Sequence, residues 1–188
     1  LNNLVVGDRL KVVAGRDAGS LIVSESTLHG KGSVKVGKGG ASMVGHQVES
    51  RNDVRIKSAD SFVVGVNESA FRRDLSWRGR GGVEQAIFTL TDVDGDTRIE
   101  LGDGDDRASF TTCGFQRLRL STGPGADQVT GGFTTFHAAF TSNTGSGADV
   151  VGLEYCTFAK NALLRLASGD NVAALTGLTF MAELKLTA

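Results

Sequence analysis

Acidic side chains in the middle of the sequence offer its most chemically suggestive pattern. Asp92-Val93-Asp94-Gly95-Asp96 sets three carboxylates at alternate positions, and oxygen ligands so spaced can wrap a hard cation such as calcium. If Val93 faces a core, Asp92 and Asp94 project outward, and Glu100 does so from the segment that follows. The alternative for this stretch is a solvated acidic corner paired with Arg98. A second set, Glu84, Asp106, Asp127, Asp149 and Asn171, recurs at intervals of 21 or 22 residues. Carboxylates stacked at such a period repel unless compensated. Hydrogen bonding to the corner's own N–H groups is one compensation, and calcium along the row is the other.

Positive charge is also periodic. Lys11, Lys35, Arg55, Arg119, Arg165 and Lys185 recur once per repeat, with Ser76, Glu100 and Thr141, at the outward position expected of its third strand, so six of the nine positions are basic. Arg9, Arg72, Arg73, Arg78, Arg80, Arg98 and Arg117 lie nearby. A stripe of this kind can hold an acidic polysaccharide through charge-assisted contacts, with Lys35, Arg55, Arg119, Arg165 and Lys185 as the candidate ligand-binding residues. A soluble face that blunts aggregation is the other reading.

Nucleophilic chemistry finds no such grouping. Cys113 and Cys156 fall at one inward offset two repeats apart, with Thr134 between them, which places their Cα atoms ~9.6 Å apart and beyond disulfide reach. Both are expected to be buried free thiols. His29 and His137 are five repeats apart, ~24 Å at the same rise, and His46 falls in the inward polar stack. No Ser, His and Asp triad can be assembled from them.

These positions are fixed by a repeat. The apolar anchors Val6, Leu28, Val48, Phe71, Val93, Phe115, Phe136, Phe158 and Phe180 are separated by 20 to 23 residues. Seven residues before the anchors from the second onward stand Leu21, Ala41, Val64, Ala86, Ala108, Val129, Val151 and Ala173. Five before stand Val23, Met43, Val66, Phe88, Phe110, Gly131, Leu153 and Leu175. This alternation is that of a strand with one face inward. Its outward positions, Ser24, Val44, Asn67, Thr89, Thr111, Gly132, Glu154 and Thr176, form a flat, weakly polar face.

Two residues before the anchor stand Ser26, His46, Ser69, Thr91, Cys113, Thr134, Cys156 and Leu178. After it come pairs such as Val34/Val36, Val54/Ile56, Leu75/Trp77, Ile99/Leu101, Leu118/Leu120, Phe140/Ser142 and Leu164/Leu166. The pattern predicts an all-β, single-stranded parallel β-helix of about nine coils of roughly 22 residues, with three short strands per coil. Parallel crossovers give it a right hand. Corners such as Gly123-Pro124-Gly125-Ala126-Asp127 and Gly145-Ser146-Gly147-Ala148-Asp149 carry the glycine that sharp turns need. Should Trp77 face outward, it becomes a sugar-stacking platform beside Arg78 and Arg80.

The anchors and the Gly-x-Gly-x-Asp corners resemble the pectate-lyase-like right-handed β-helix repeats of large bacterial surface proteins and adhesins, along the whole chain. That resemblance implies architecture rather than activity, because the fold carries lyases, hydrolases, esterases, tailspikes and plain spacers. The corners are also similar to the glycine- and aspartate-rich calcium repeats of secreted toxins, although those recur every nine residues and these once per coil.

Composition narrows the options. With 188 residues, 40% hydrophobic content, 26 Gly, one Pro and a formal net charge of -1, the chain suits one repeat domain rich in turns. It is not a strongly charged nucleic-acid binder. It shows no transmembrane span and no signal peptide. It begins at Leu1 and ends within a repeat, so it reads as an excerpt of a longer exported bacterial protein, secreted or at the cell surface. Three functions stay open: a structural or adhesive scaffold without catalysis, a carbohydrate-active module using Asp92, Asp94 and Asp96, and a polyanion- or glycan-binding module. Self-association end to end or edge to edge is the other partnership considered, and calcium is the one cofactor.

Overall fold

A computed structural model describes residues 1–15 and 19–188, and every strand pairing in it is parallel. No helix occurs among the described residues. The chain winds into a β-solenoid of about eight turns with a spacing near 22 residues, because the inward side chains of each turn bury themselves only by stacking on the turns above and below. Nine occurrences of the anchor offset delimit those eight turns.

One turn shows the plan. Gln128–Gly132 forms the first face, Thr135–Phe136 the second and Phe140–Asn143 the third. Each pairs with its counterpart one turn later: Val150–Glu154, Thr157–Phe158 and Ala162–Arg165. In other turns two faces run together as one strand, as in Asp92–Glu100 and Gly114–Ser121.

Three details of the expected register are corrected. The anchor of the third turn is Ser50, not Val48: Leu28 pairs with Ser50, and Ser50 with Phe71. Ser50 can occupy a fully buried site because its hydroxyl donates to the Asn52 carbonyl at 2.9 Å. Val48, Gly45 and Met43 therefore take the inward offsets of this turn, while His46 lies outside beside Asn67, its Nδ1 3.2 Å from the Asn67 amide nitrogen. On the third face the inward pairs are Gly32/Val34, Thr97/Ile99 and Ala162/Leu164, two residues earlier than the apolar pattern indicated. Trp77 faces the core, only 2% exposed, and its indole N–H donates to the Ser58 hydroxyl at 3.2 Å.

The corner between the first and second faces has a consistent geometry. The residue three before each anchor adopts positive φ: Glu25, Gln47, Glu68, Leu90, Thr112, Phe133 and Tyr155 all lie between 46° and 53°. That bend interrupts the strand, and the residue just after it repairs the interruption. The Ser69, Thr91 and Thr134 hydroxyls donate to the carbonyls of Asn67, Thr89 and Gly132. The Ser69 hydroxyl also accepts from the Val48 N–H of the previous turn at 3.0 Å. Cys113 and Cys156 occupy the same offset as buried free thiols. Burial pushes the Cys113 thiol up to about 11 and raises that of Cys156 as well.

At the corner between turns, close approach rather than flexibility selects glycine. A Cβ on Gly125, where φ is +149°, would sit 1.8 Å from the Gly104 carbonyl oxygen of the turn before. Any side chain there would pry the turns apart.

Phenylalanine fills the later turns. Phe115, Phe136, Phe158 and Phe180 stack in a column with neighbouring centroids 4.9 to 6.0 Å apart, and Phe140 lies 4.4 Å from Phe136. Phe136→Ala should cost about 3–5 kcal/mol in denaturant unfolding. Phe133→Gly, three residues earlier, removes an exposed ring from a positive-φ site and should change stability by less than about 1 kcal/mol. Equal losses at the two sites would contradict this assignment of inside and outside.

Candidate binding face and the buried acidic column

The corrected register redraws the basic stripe. On the third face one outward row reads Lys11, Ser33, Arg55, Ser76, Arg98, Arg119, Thr141, Leu163 and Lys185. The row two residues later reads Val13, Lys35, Lys57, Arg78, Glu100, Ser121, Asn143, Arg165 and Thr187. Arg55, Arg119 and Lys185 thus share one row, and Lys35 and Arg165 the adjacent one. Positive charge concentrates in the first six turns, and Arg165 and Lys185 stand apart from it.

The preceding outward row carries Arg9, Lys31, Asp53, Asp74, Asp96 and Arg117. Its aspartates border a shallow hollow of about 300 Å³ that opens over Ser76, where a short side chain interrupts the row of arginines. Arg55, Arg98, Arg117 and Arg119 line the same hollow. A second depression, of about 260 Å³, lies on the other side of Ser76 between Lys57, Arg78 and Glu100.

Several charges of this face are already matched. Arg117 holds Asp96 at 2.7 Å, and the Asp96 N–H donates to Asp74 Oδ1 at 2.9 Å. Glu100 accepts from Arg78 at 2.7 Å and from Arg98. Partial burial acts to raise the Glu100 carboxyl, but those arginine hydrogen bonds outweigh it and hold the carboxyl below its ordinary value. Lys11, Lys31, Lys35, Arg55, Lys57 and Arg119 make no ion pair among the described residues, which leaves the face a surplus of positive charge.

The expected metal residues fall into three separate environments. Asp92 and Asp94 are exposed on the second face, where Asp94 accepts from Arg72 at 3.1 Å. Asp96 belongs to the third face, so the hollow there includes Asp96 but neither Asp92 nor Asp94. No three His, Cys, Asp or Glu side chains converge as a metal-holding group among the described residues.

Asp106, Asp127 and Asp149 lie inside the wall, together with Glu84, all four at most 2% exposed. Each Asp accepts the N–H of the equivalent residue one turn back: Glu84 N–H to Asp106, Asp106 N–H to Asp127 and Asp127 N–H to Asp149, at 2.8 to 3.0 Å. Asn171 ends the ladder by accepting from Asp149 N–H at 3.0 Å. The compensation is therefore hydrogen bonding to backbone N–H groups, but between turns rather than within one corner. Asp127 has a further donor in the Thr122 hydroxyl at 2.5 Å, whereas both Glu84 oxygens and one oxygen each of Asp106 and Asp149 have no hydrogen-bond partner among the described residues.

Burial, reinforced by the charge of Asp106, pushes the Glu84 carboxyl up to about 8. Burial likewise pushes Asp106 up to about 7 and raises Asp127. A buried carboxylate without a cation becomes neutral by keeping its proton.

Sequence reasoning missed Lys57, Asp53 and Asp74 as members of the charged face. Their signal was the row offset, legible only once Thr97 and Gly32 are accepted as inward residues. Comparison of the chain with protein-family models, with curated proteins and with solved structures finds no match.

The column sets a pH dependence of stability. Between the unfolded values near 4 and the raised folded values of about 7 and 8, the native state binds more protons than the unfolded one. Stability is therefore full at the acidic end and falls as pH rises through that window. The thermal midpoint should drop from pH 5 to pH 8. Asp106→Asn, which keeps an acceptor for the Glu84 N–H, should flatten that slope; a midpoint that rises over this interval would contradict the protonated column.

Proposed function

We propose that this chain is a structural and adhesive segment of an exported bacterial protein, without catalysis of its own, and that it adheres through the basic third face to an acidic polymer. The single observation that carries the reading is a set of cations on one face that make no ion pair among the described residues: Arg55, Arg119 and Lys57 line its two hollows, and Lys11 and Lys35 stand in the same two rows toward the first turns. Rungs repeat every ~4.8 Å, so a linear polymer lying along the solenoid axis would meet a cation at almost every step over the first turns. Guanidinium groups at Arg55 and Arg119 can take carboxylate or sulfate oxygens in pairs. Because the rows sit on strands locked by pairing on both sides, binding has no backbone to order, and the cost is confined to the lysine and arginine side chains.

The test is titration with a soluble acidic polysaccharide followed by calorimetry. The proposal expects saturable binding that weakens steeply as ionic strength rises from ~0.01 to ~0.15 M. Arg55→Ser with Arg119→Ser should lower affinity at least ~10-fold, equivalent to ~1.4 kcal/mol. Arg165→Ser, outside the cluster, should leave it nearly unchanged. Binding that ignores the double substitution would refute the assignment of the face.

A second reading, a carbohydrate-active module, is favoured by Asp53, Asp74 and Asp96 bordering the same hollow. Paired carboxylates can act as general acid and base toward a glycosidic bond. Release of reducing ends from a bound glycan, abolished in Asp74→Asn with binding retained, would establish it in place of simple adhesion.

A further inference from the structure

The first face has the opposite character to the third. Its central outward row reads Ile22, Val44, Gly65, Ile87, Ser109, Thr130, Gly152 and Ala174, with no ionisable side chain. The rows on either side add one full charge each, Arg107 and Glu154, of opposite sign. Large apolar side chains are exposed here: Ile22 at 55%, Val44 at 42%, Val150 at 42% and Val172 at 55%. At the bordering corner Phe133 and Tyr155 are 64% and 56% exposed, their rings stacked with centroids 5.2 Å apart. The exposed apolar side chains gather toward the two ends of the face, with weakly polar residues such as Gln85, Ser109 and Thr130 between them, and a nearly uncharged surface of this kind is suited to an interaction site.

We propose that the first face is the interface between two copies of this chain, packed sheet against sheet. Its size suits that role. Eight strands form the face, from Gly19–Leu28 to Val172–Thr176. At ~4.8 Å per strand and ~3.3 Å per residue over about six residues, the face covers roughly 750 Å². Each face thus comes close to the ~800 Å² per partner of a standard stable interface. Apposing the face to itself brings no like charges together along the central row, whereas apposing two third faces would set arginine against arginine. The glycines Gly65 and Gly152 keep the row low, so a second sheet can approach evenly, and an isologous contact needs no surface beyond the one described.

Sedimentation velocity of the whole chain across the micromolar range tests the proposal. The expected species has twice the 19.6 kDa of one chain, persists in high salt, and dissociates on dilution. Val44→Lys and Val150→Lys, both on the solvent side of their strands, should each raise the dissociation constant at least tenfold while keeping the β-sheet circular dichroism. Arg55→Ser on the third face should leave the dimer intact. A chain that stays monomeric at every concentration, or a dimer indifferent to both lysine substitutions, overturns the proposal. So does a monomer that adheres to an uncharged polysaccharide such as cellulose and loses that adhesion in Val44→Lys, which would assign the face to a neutral glycan instead.

Discussion

Parallel, in-register stacking is the constraint on which everything else in this protein rests. Each position lies one rung, ~4.8 Å, from its own equivalents in the neighbouring turns. Apolar positions gain from this, as the column of Phe115, Phe136, Phe158 and Phe180 shows. Polar positions gain only if the side chain answers the backbone of the next turn. The Ser69 hydroxyl does so for the Val48 N–H, and the carboxyls of Asp106, Asp127 and Asp149 do so for the turn before each. Charged positions lose by stacking unless they shed the charge or interleave its signs. Burial shifts the carboxyls of Glu84, Asp106 and Asp127 toward their neutral forms, and the third face sets Asp74, Asp96 and Glu100 among its arginines.

The architecture was legible in the sequence because most inward offsets hold apolar residues at a nearly constant step. Legibility failed where a buried site is polar or minimal. Ser50 carries no hydrophobic signal, yet its hydroxyl is satisfied and it takes the anchor site, so the apolar pattern settled on Val48 instead. Thr97, Gly32 and Ala162 failed in the same way on the third face, and each slip displaced neighbouring charges into the wrong row. The positive-φ corner had no signature in its own residue: Glu25, Leu90, Thr112 and Tyr155 share a conformation but no chemistry. What they share is the residue that follows, usually one able to donate to a carbonyl. Of the candidate site, the basic character of the third face was readable. Its two-row layout, the hollow over Ser76 and the burial of the acidic column were not, because a carboxylate read from sequence is assigned to solvent by default.

The faces divide the work of a surface among them. Lysine and arginine give the third face the long-range field on which the proposed binding of an acidic polymer rests. The nearly uncharged first face offers area without direction, suited to contact with a surface like itself. Between them the second face is narrow and bears exposed pairs such as Arg72 with Asp94, which contribute little to stability in water. A solenoid built by repetition can give each face its own composition, because the inward and outward residues of a strand alternate and so vary independently.

The most direct test of this account is the distance between spin labels on cysteines introduced at Lys11 and Lys185. These residues occupy the same outward row in the first and last turns, eight pairings apart. Cys113 and Cys156 are buried with raised thiol pKa values, so they leave the labelling to the introduced sites. Stacking of one turn per rung predicts a single narrow distance near ~38 Å. A much shorter or broadly distributed distance would contradict the in-register solenoid, and with it the continuity of the face on which binding is proposed.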